Sequence, residues 1–215
     1  MSITASDVAK LRAQTGAGML DCKKALEETN GDFEAAIDSL RKRGIAKAAK
    51  RADKVAAEGM VMSYIHAGGR IGVLVEINCE TDFVARTDDF RGLANDIAMH
   101  IAASNPKYLC RADVSPEVLE REKNVYREQL ITEGKPADMV EKIVEGKLSK
   151  FYGEICLLEQ VFIKDEEKTI EQLLTQKTGE TGEKITLRRF VRFELGEGIE
   201  KAKVDFAAEV EEQLK

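Results

Sequence analysis

Along the N-terminal stretch, apolar residues recur at helical spacing and polar residues break the run into short pieces. Thr4 followed by Asp7 makes a capping-box pattern ahead of Val8 and Leu11 on one face, and Gly16 stops the run. Met19, Cys22 and Leu26 then fall at i, i+3 and i+7, with Asn30-Gly31 to reverse the chain. Asp32 is placed to cap a third helix whose stripe is Phe33, Ala36, Ile37 and Leu40, with Gly44 as its expected end. The pattern predicts a three-helix bundle over residues 1–44.

The run IAKAAKRADKVAAEG is rich in alanine but has little apolar surface, so residues 45–58 read as a linker helix. The pattern then changes. GMVMSYIH and IGVLVEINC are β-branched or apolar runs joined by Ala67-Gly68-Gly69-Arg70, the pattern of a hairpin. Phe90, Leu93, Ala94, Ile97 and Ile101 follow as one helical stripe that Asn105-Pro106 ends. Ser115-Pro116-Glu117 starts another helix, and Gly134-Lys135-Pro136 divides the polar stretch that follows. Val140, Ile143, Val144, Leu148 and Phe151 mark its second half, so residues from about 115 to 151 read as a helical hairpin. From Thr186 to Leu195, Val191, Phe193 and Leu195 alternate with Phe190, Arg192 and Glu194, which predicts a last strand for the sheet. The expected class is α+β: an N-terminal helical domain, a linker helix, and a core domain over 59–215. That core holds a small antiparallel sheet packed by helices, with a helical-hairpin insertion.

Composition narrows the chemistry. With 43% hydrophobic residues in 215, the chain can bury a core, and a formal charge of -6 disfavours general nucleic-acid binding. A basic patch from Arg41 to Lys54 suits an acidic surface or RNA, or simply a solvated helix face, and it has no aromatic residues for base stacking. No signal-like run opens the chain and no stretch is apolar enough to span a bilayer, so a soluble cytoplasmic protein without membrane contact is expected. Cys22, Cys79, Cys110 and Cys156 are scattered and read as reduced thiols. His66 and His100 do not form a metal-ligand pattern. Gly179-Glu-Thr-Gly182-Glu-Lys184 lacks phosphate-loop spacing and reads as a loop. No constellation points to catalysis, a cofactor or a metal.

The segment Glu80-Thr81-Asp82-Phe83-Val84-Ala85-Arg86 lies between a strand and a helix, where a loop tip is expected. Phe83 is either a staple that packs the loop on the core or an aromatic wedge for a partner's pocket. Asp82 is either a helix cap or a polar contact beside such a wedge.

At these residues the sequence resembles the elongation factor Ts family. LRAQTGAGMLDCKKALEETNGDFEAAIDSLRKRG is similar to the family's N-terminal domain, a fold like ubiquitin-associated domains, and VEINCETDFVAR contains its hallmark loop. HAGGRIGVLVE resembles the hairpin of the core, and VEGKLSKFYGEICLLEQVFIKDEEKTIEQLL with FVRFELGEGIEKAKVDFAAEV resembles the C-terminal portion. The resemblance implies a non-enzymatic guanine-nucleotide exchange factor that binds elongation factor Tu and needs no cofactor or nucleotide of its own. Thr81, Asp82, Phe83 and Val84 would enter the partner near its nucleotide site and help dislodge its magnesium ion. Arg12, Met19, Leu20 and Lys23 match positions that contact the GTPase domain, and His66 matches a histidine that meets the third domain. From spacing, Met19 serves equally as core, Leu20 lies off the buried stripe, and His66 equally reads as a strand-end polar residue. Longer family members carry two core modules where this chain has one. Short members pair two chains, so a homodimer is expected. An adaptor that binds through Ala17–Leu20 alone and an RNA-binding accessory protein are the rival readings.

Overall fold

The computed structural model describes residues 3–199. Three helices open the chain, α1 (Ala5–Thr15), α2 (Met19–Glu28) and α3 (Phe33–Arg51). After them come β1 (Glu58–Ile65), β2 (Ile71–Cys79), the one-turn helix α4 (Asp82–Ala85), α5 (Asp88–Ser104), α6 (Pro116–Thr132) and α7 (Ala137–Ile155). The strands β3 (Val161–Phe162) and β4 (Asp165–Thr169), helix α8 (Ile170–Thr181) and strand β5 (Thr186–Glu194) follow, with short 3-10 turns at Arg111–Asp113 and Leu157–Glu159. The class is α+β, as the pattern predicts. The end of the C-terminal stretch used in the resemblance, from residue 200 onward, lies outside the described residues.

Local signals place the first helices. Asp7 N–H donates to Thr4 Oγ1 at 3.3 Å while Thr4 N–H donates to Asp7 Oδ2 at 3.0 Å, so each satisfies the other's open end. Ala35 N–H donates to the Asp32 carboxylate at 3.0 Å and starts α3. Val8, Leu11, Cys22, Ala25, Leu26, Ala36 and Leu40 bury themselves as a core separate from that of the sheet.

Gly44 does not end the third helix, and no separate linker helix follows. Helix α3 runs unbroken from Phe33 to Arg51. Here glycine serves a helix crossing. A Cβ on Gly179 of α8 would lie 2.6 Å from Gly44 Cα and 2.9 Å from Gly44 O, so the two backbones come this close only because Gly179 lacks a side chain, whereas a Cβ on Gly44 would meet Gly179 Cα at an ordinary 3.9 Å. The segment Gly179–Thr181, expected in a loop, is the last turn of α8, with the chain turning at Gly182.

The main sheet is antiparallel with β2 in the centre, in the order β1, β2, β5. Val73, Val75, Ile77 and Cys79 point inward and pack with Phe90, Leu93, Ala94, Ile97 and Ile101 of α5 in one core. The alternation expected in β5 holds, but its apolar face points outward. Val191 and Phe193 are exposed opposite Leu74 and Gly72, while Phe190 packs on the core. Arg192, on the inner face, donates from Nε to Ala102 O at 3.3 Å and so satisfies a carbonyl in the last turn of α5. Helices α6 and α7 form the expected hairpin around a small core of Leu130, Val140, Val144 and Leu148.

Candidate functional site

The strand β2 ends at Cys79, and the backbone turns through Glu80 and Thr81 into α4. Thr81 is the N-cap, its Oγ1 accepting from Val84 N–H at 3.5 Å. Ala85 is buried and Val84 packs against the main core, which ties down the far end of the turn. Phe83 points away from both. It is 79% exposed, so the staple reading is wrong: the ring stands in solvent at the tip of a turn whose backbone is held from both sides. Asp82 lies inside the first turn of α4 and pairs with Arg86 at 2.8 Å, so it is not the cap. The Cys79 thiol donates to Thr81 O at 3.1 Å beneath the loop, and burial pushes its pKa up, which keeps it a thiol.

Residues the sequence did not single out hold this loop. Glu183 accepts from Thr81 N–H at 3.0 Å and from Thr81 Oγ1–H at 2.7 Å. Glu80 accepts from Lys184 N–H at 2.7 Å and from Arg51 Nη1 at 3.1 Å, while Lys184 Nζ donates to Ala52 O at 2.6 Å. The loop base is thus bound both to the turn after α8 and to the end of α3. About a hundred residues separate Glu80 and Thr81 from Glu183 and Lys184 along the chain, and no local pattern announces the contact.

The other candidate residues fall in two places. Arg12 occupies the last turn of α1, Met19 and Leu20 the first turn of α2, and Lys23 the next turn. Leu20 is 75% exposed. Met19 is 43% exposed and stays out of the bundle core, so its core reading fails. Lys23 is exposed and makes only a loose pair with Glu27 at 3.7 Å. His66 is exposed at the hairpin turn after β1, with Nδ1 3.1 Å from Tyr64 Oη. Strand β2 separates His66 from the Phe83 loop, roughly 26 Å at the rise of an extended strand. The structure therefore puts them at opposite ends of the sheet.

Among the described residues, no group of three or more His, Cys, Asp or Glu side chains could hold a metal ion. No helix among them is long and apolar enough to cross a membrane. What the site offers is contact: an exposed aromatic on an anchored turn, and a small apolar and basic face on the helical bundle.

Comparison with known proteins gives this contact surface a context. The family model described as Elongation factor TS matches residues 4–197. Elongation factor Ts of Syntrophomonas wolfei is 62% identical over 213 residues, covering 99% of this chain and 100% of that protein. The Desulforamulus reducens and Geobacter sulfurreducens proteins of the same name are each 60% identical, over 99% and 98% of this chain and 98% and 97% of their own lengths. By these matches the protein falls in the class of translation elongation factors. The chain belongs to the elongation factor Ts family.

Proposed function

We propose that this protein is a cytoplasmic guanine-nucleotide exchange factor for elongation factor Tu. It binds the GDP-bound GTPase, promotes departure of magnesium and GDP, and leaves the site open for GTP. The observation that carries this reading is Phe83, an apolar ring held out in solvent by a turn that is itself anchored. Burying such a ring in a partner yields about 1.5–3 kcal/mol, and a rigid turn loses little entropy in placing it. Thr81 and Val84 fix the turn, and Asp82 supplies a polar contact beside the wedge. Magnesium and phosphate-binding backbone hold GDP by charge, so displacing the elements that position the ion loosens the nucleotide without contact to the guanine. Arg12, Met19, Leu20 and Lys23 dock on the GTPase domain, and His66 contacts a second domain from the other end of the sheet. No bond is made or broken. Linkage then requires nucleotide with magnesium to weaken the complex by the factor that the complex weakens nucleotide, so GTP ejects the factor.

The protein works as a homodimer in this reading. Val61, Ile65, Leu74, Val191 and Phe193 lie exposed on the outer face of the sheet. An apolar sheet face of this kind suits a second copy of itself across a two-fold axis. Phe193→Glu should convert a dimer to a monomer in sedimentation; a wild type that sediments as a monomer would refute the pairing.

Release of a fluorescent GDP analogue from elongation factor Tu, chased with excess GDP, tests the exchange role. Acceleration that rises with added protein supports it. No acceleration with both proteins folded would remove it and return attention to an adaptor that binds through α2.

A further inference from the structure

Two dipeptides far apart in the chain hold each other across the base of the Phe83 loop. The Glu183 carboxylate accepts from Thr81, and the Glu80 carboxylate accepts from Lys184. The first half of this reciprocal clamp does something the second does not. It takes both the backbone N–H and the hydroxyl of Thr81, which fixes the residue's backbone and its side-chain rotamer together. With its hydrogen committed to Glu183, the Thr81 hydroxyl has its lone pairs directed toward Val84 N–H and caps α4.

A helix of one turn has almost no stability of its own. Phe83 is too exposed for its own contacts to orient it. Its direction therefore follows from the backbone, which Val84 and Ala85 anchor on one side through the core. On the other side the anchor is Thr81, and through it Glu183. Glu183 is itself held rigidly. Gly182 N–H donates to Thr178 O at 2.9 Å, Lys184 N–H to Glu80, and Ile185 N–H to Thr178 Oγ1 at 3.0 Å.

We propose that Glu183 is a positioning residue for exchange, aiming the Phe83 ring by clamping both polar groups of Thr81. This rests on the exchange reading given above. It acts through Thr81 and touches neither nucleotide nor magnesium.

The test compares wild type, Glu183→Ala, Glu183→Gln, Phe83→Ala and the Glu183→Ala/Phe83→Ala pair. Each is measured for maximal acceleration of GDP release, half-saturating concentration, and hydrogen exchange of residues 81–85. Glu183→Ala should lower the maximum about tenfold, the scale of a misplaced contact group, and move the half-saturating concentration by less than about twofold. Exchange of the amides in 81–85 should quicken. Glu183→Gln, whose amide oxygen still accepts from Thr81 N–H, should recover most of the loss. On the Phe83→Ala background Glu183→Ala should add nothing, because its effect passes through the ring. Should Glu183→Ala fail to fold, Glu183→Asp, one methylene short of reaching Thr81, makes the same comparison. An unchanged maximum, or a loss that adds fully to that of Phe83→Ala, overturns the role. A wild type that accelerates nothing removes the exchange reading and this role with it, whereas quickened amide exchange in that case would leave the clamp standing as structure.

Discussion

The Phe83 loop and the α1–α2 face both present apolar side chains to solvent, and they are built in opposite ways. The face carrying Arg12, Met19, Leu20 and Lys23 is local. Two consecutive helices supply it, and neighbours in sequence cap and bury those helices. The loop is non-local, with Thr81 and Glu80 bound by Glu183 and Lys184 from beyond α8 and by Arg51 from the end of α3. A local face gives a docking surface that survives changes elsewhere. A loop assembled from distant parts has a direction that those parts can set, which is what a wedge needs and a docking patch does not.

This contrast separates affinity from effect. Phe83→Ala should lower the maximal acceleration of GDP release by about 10- to 100-fold, the worth of burying one aromatic ring converted to a rate. Leu20→Ala should leave that maximum nearly intact and raise the half-saturating concentration severalfold, as truncating a peripheral contact does. If both substitutions change only half-saturation, the loop is a second docking patch and the contrast fails.

Gly179→Ala probes the junction between the two regions. The added methyl would meet Gly44 backbone atoms at 2.6 and 2.9 Å, and backbone on a packed helix yields only by moving α3 as a body. Overpacking of this kind costs about 1–3 kcal/mol, so Tm should fall by roughly 2–10 °C. The end of α3 carries Arg51 and Ala52, which bind Glu80 and Lys184, so amide exchange around Thr81 should quicken as well. A lower Tm with an unaltered loop would show that the N-terminal helices and the clamp are independent.

The same division decides what could be read from the sequence. Residues that act on near neighbours were legible: Thr4 and Asp32 as caps, Asn30-Gly31 and Asn105 as turns, and the α3 and α5 stripes as core. Residues whose partners lie far away were misread or missed. Gly44 resembles a helix stop, yet α3 runs through it to a close crossing with Gly179, a partner more than a hundred positions away that no local pattern announces. The β5 alternation was plain, but which face meets the core depends on the neighbouring strand, and there it is the inner side that holds Phe190 and Arg192. Phe83 could not be assigned to staple or wedge from spacing, since its exposure follows from what anchors the turn around it. Glu183 gave no signal, because an acidic residue after a helix-ending glycine is ordinary.

The smallest expected effect concerns acid, and it should fall on the core domain alone. His100 is fully buried in α5, with Nε2 3.0 Å from Gln160 Oε1 and Nδ1 accepting from Ile163 N–H at 3.4 Å. Gln160 Nε2 donates in turn to Glu154 O at 2.6 Å, so one neutral imidazole links α5, the end of α7 and the turn after β3. A second proton on the ring would face the Ile163 N–H that Nδ1 now receives. Burial accordingly holds the His100 pKa below its ordinary 6.5, with the Gln160 bond opposing the shift. Between 6.5 and that lowered value the unfolded chain binds the proton and the folded chain does not, so stability is complete above 6.5 and declines as pH falls through this window. The carboxylate of Glu76, held low by Arg188 and Arg189, contributes stability that declines only below its ordinary 4.5, so melts taken above that pH do not reach it. The helical bundle has no histidine and should keep its stability through the upper window. Thermal melts from about pH 7 to pH 5 should show Tm falling as the pH drops below 6.5, with His100→Gln flattening the slope. A slope that survives His100→Gln would place the titrating group elsewhere, and a bundle that melts in step with the core would mean that the Gly44–Gly179 crossing makes one cooperative unit of the two regions.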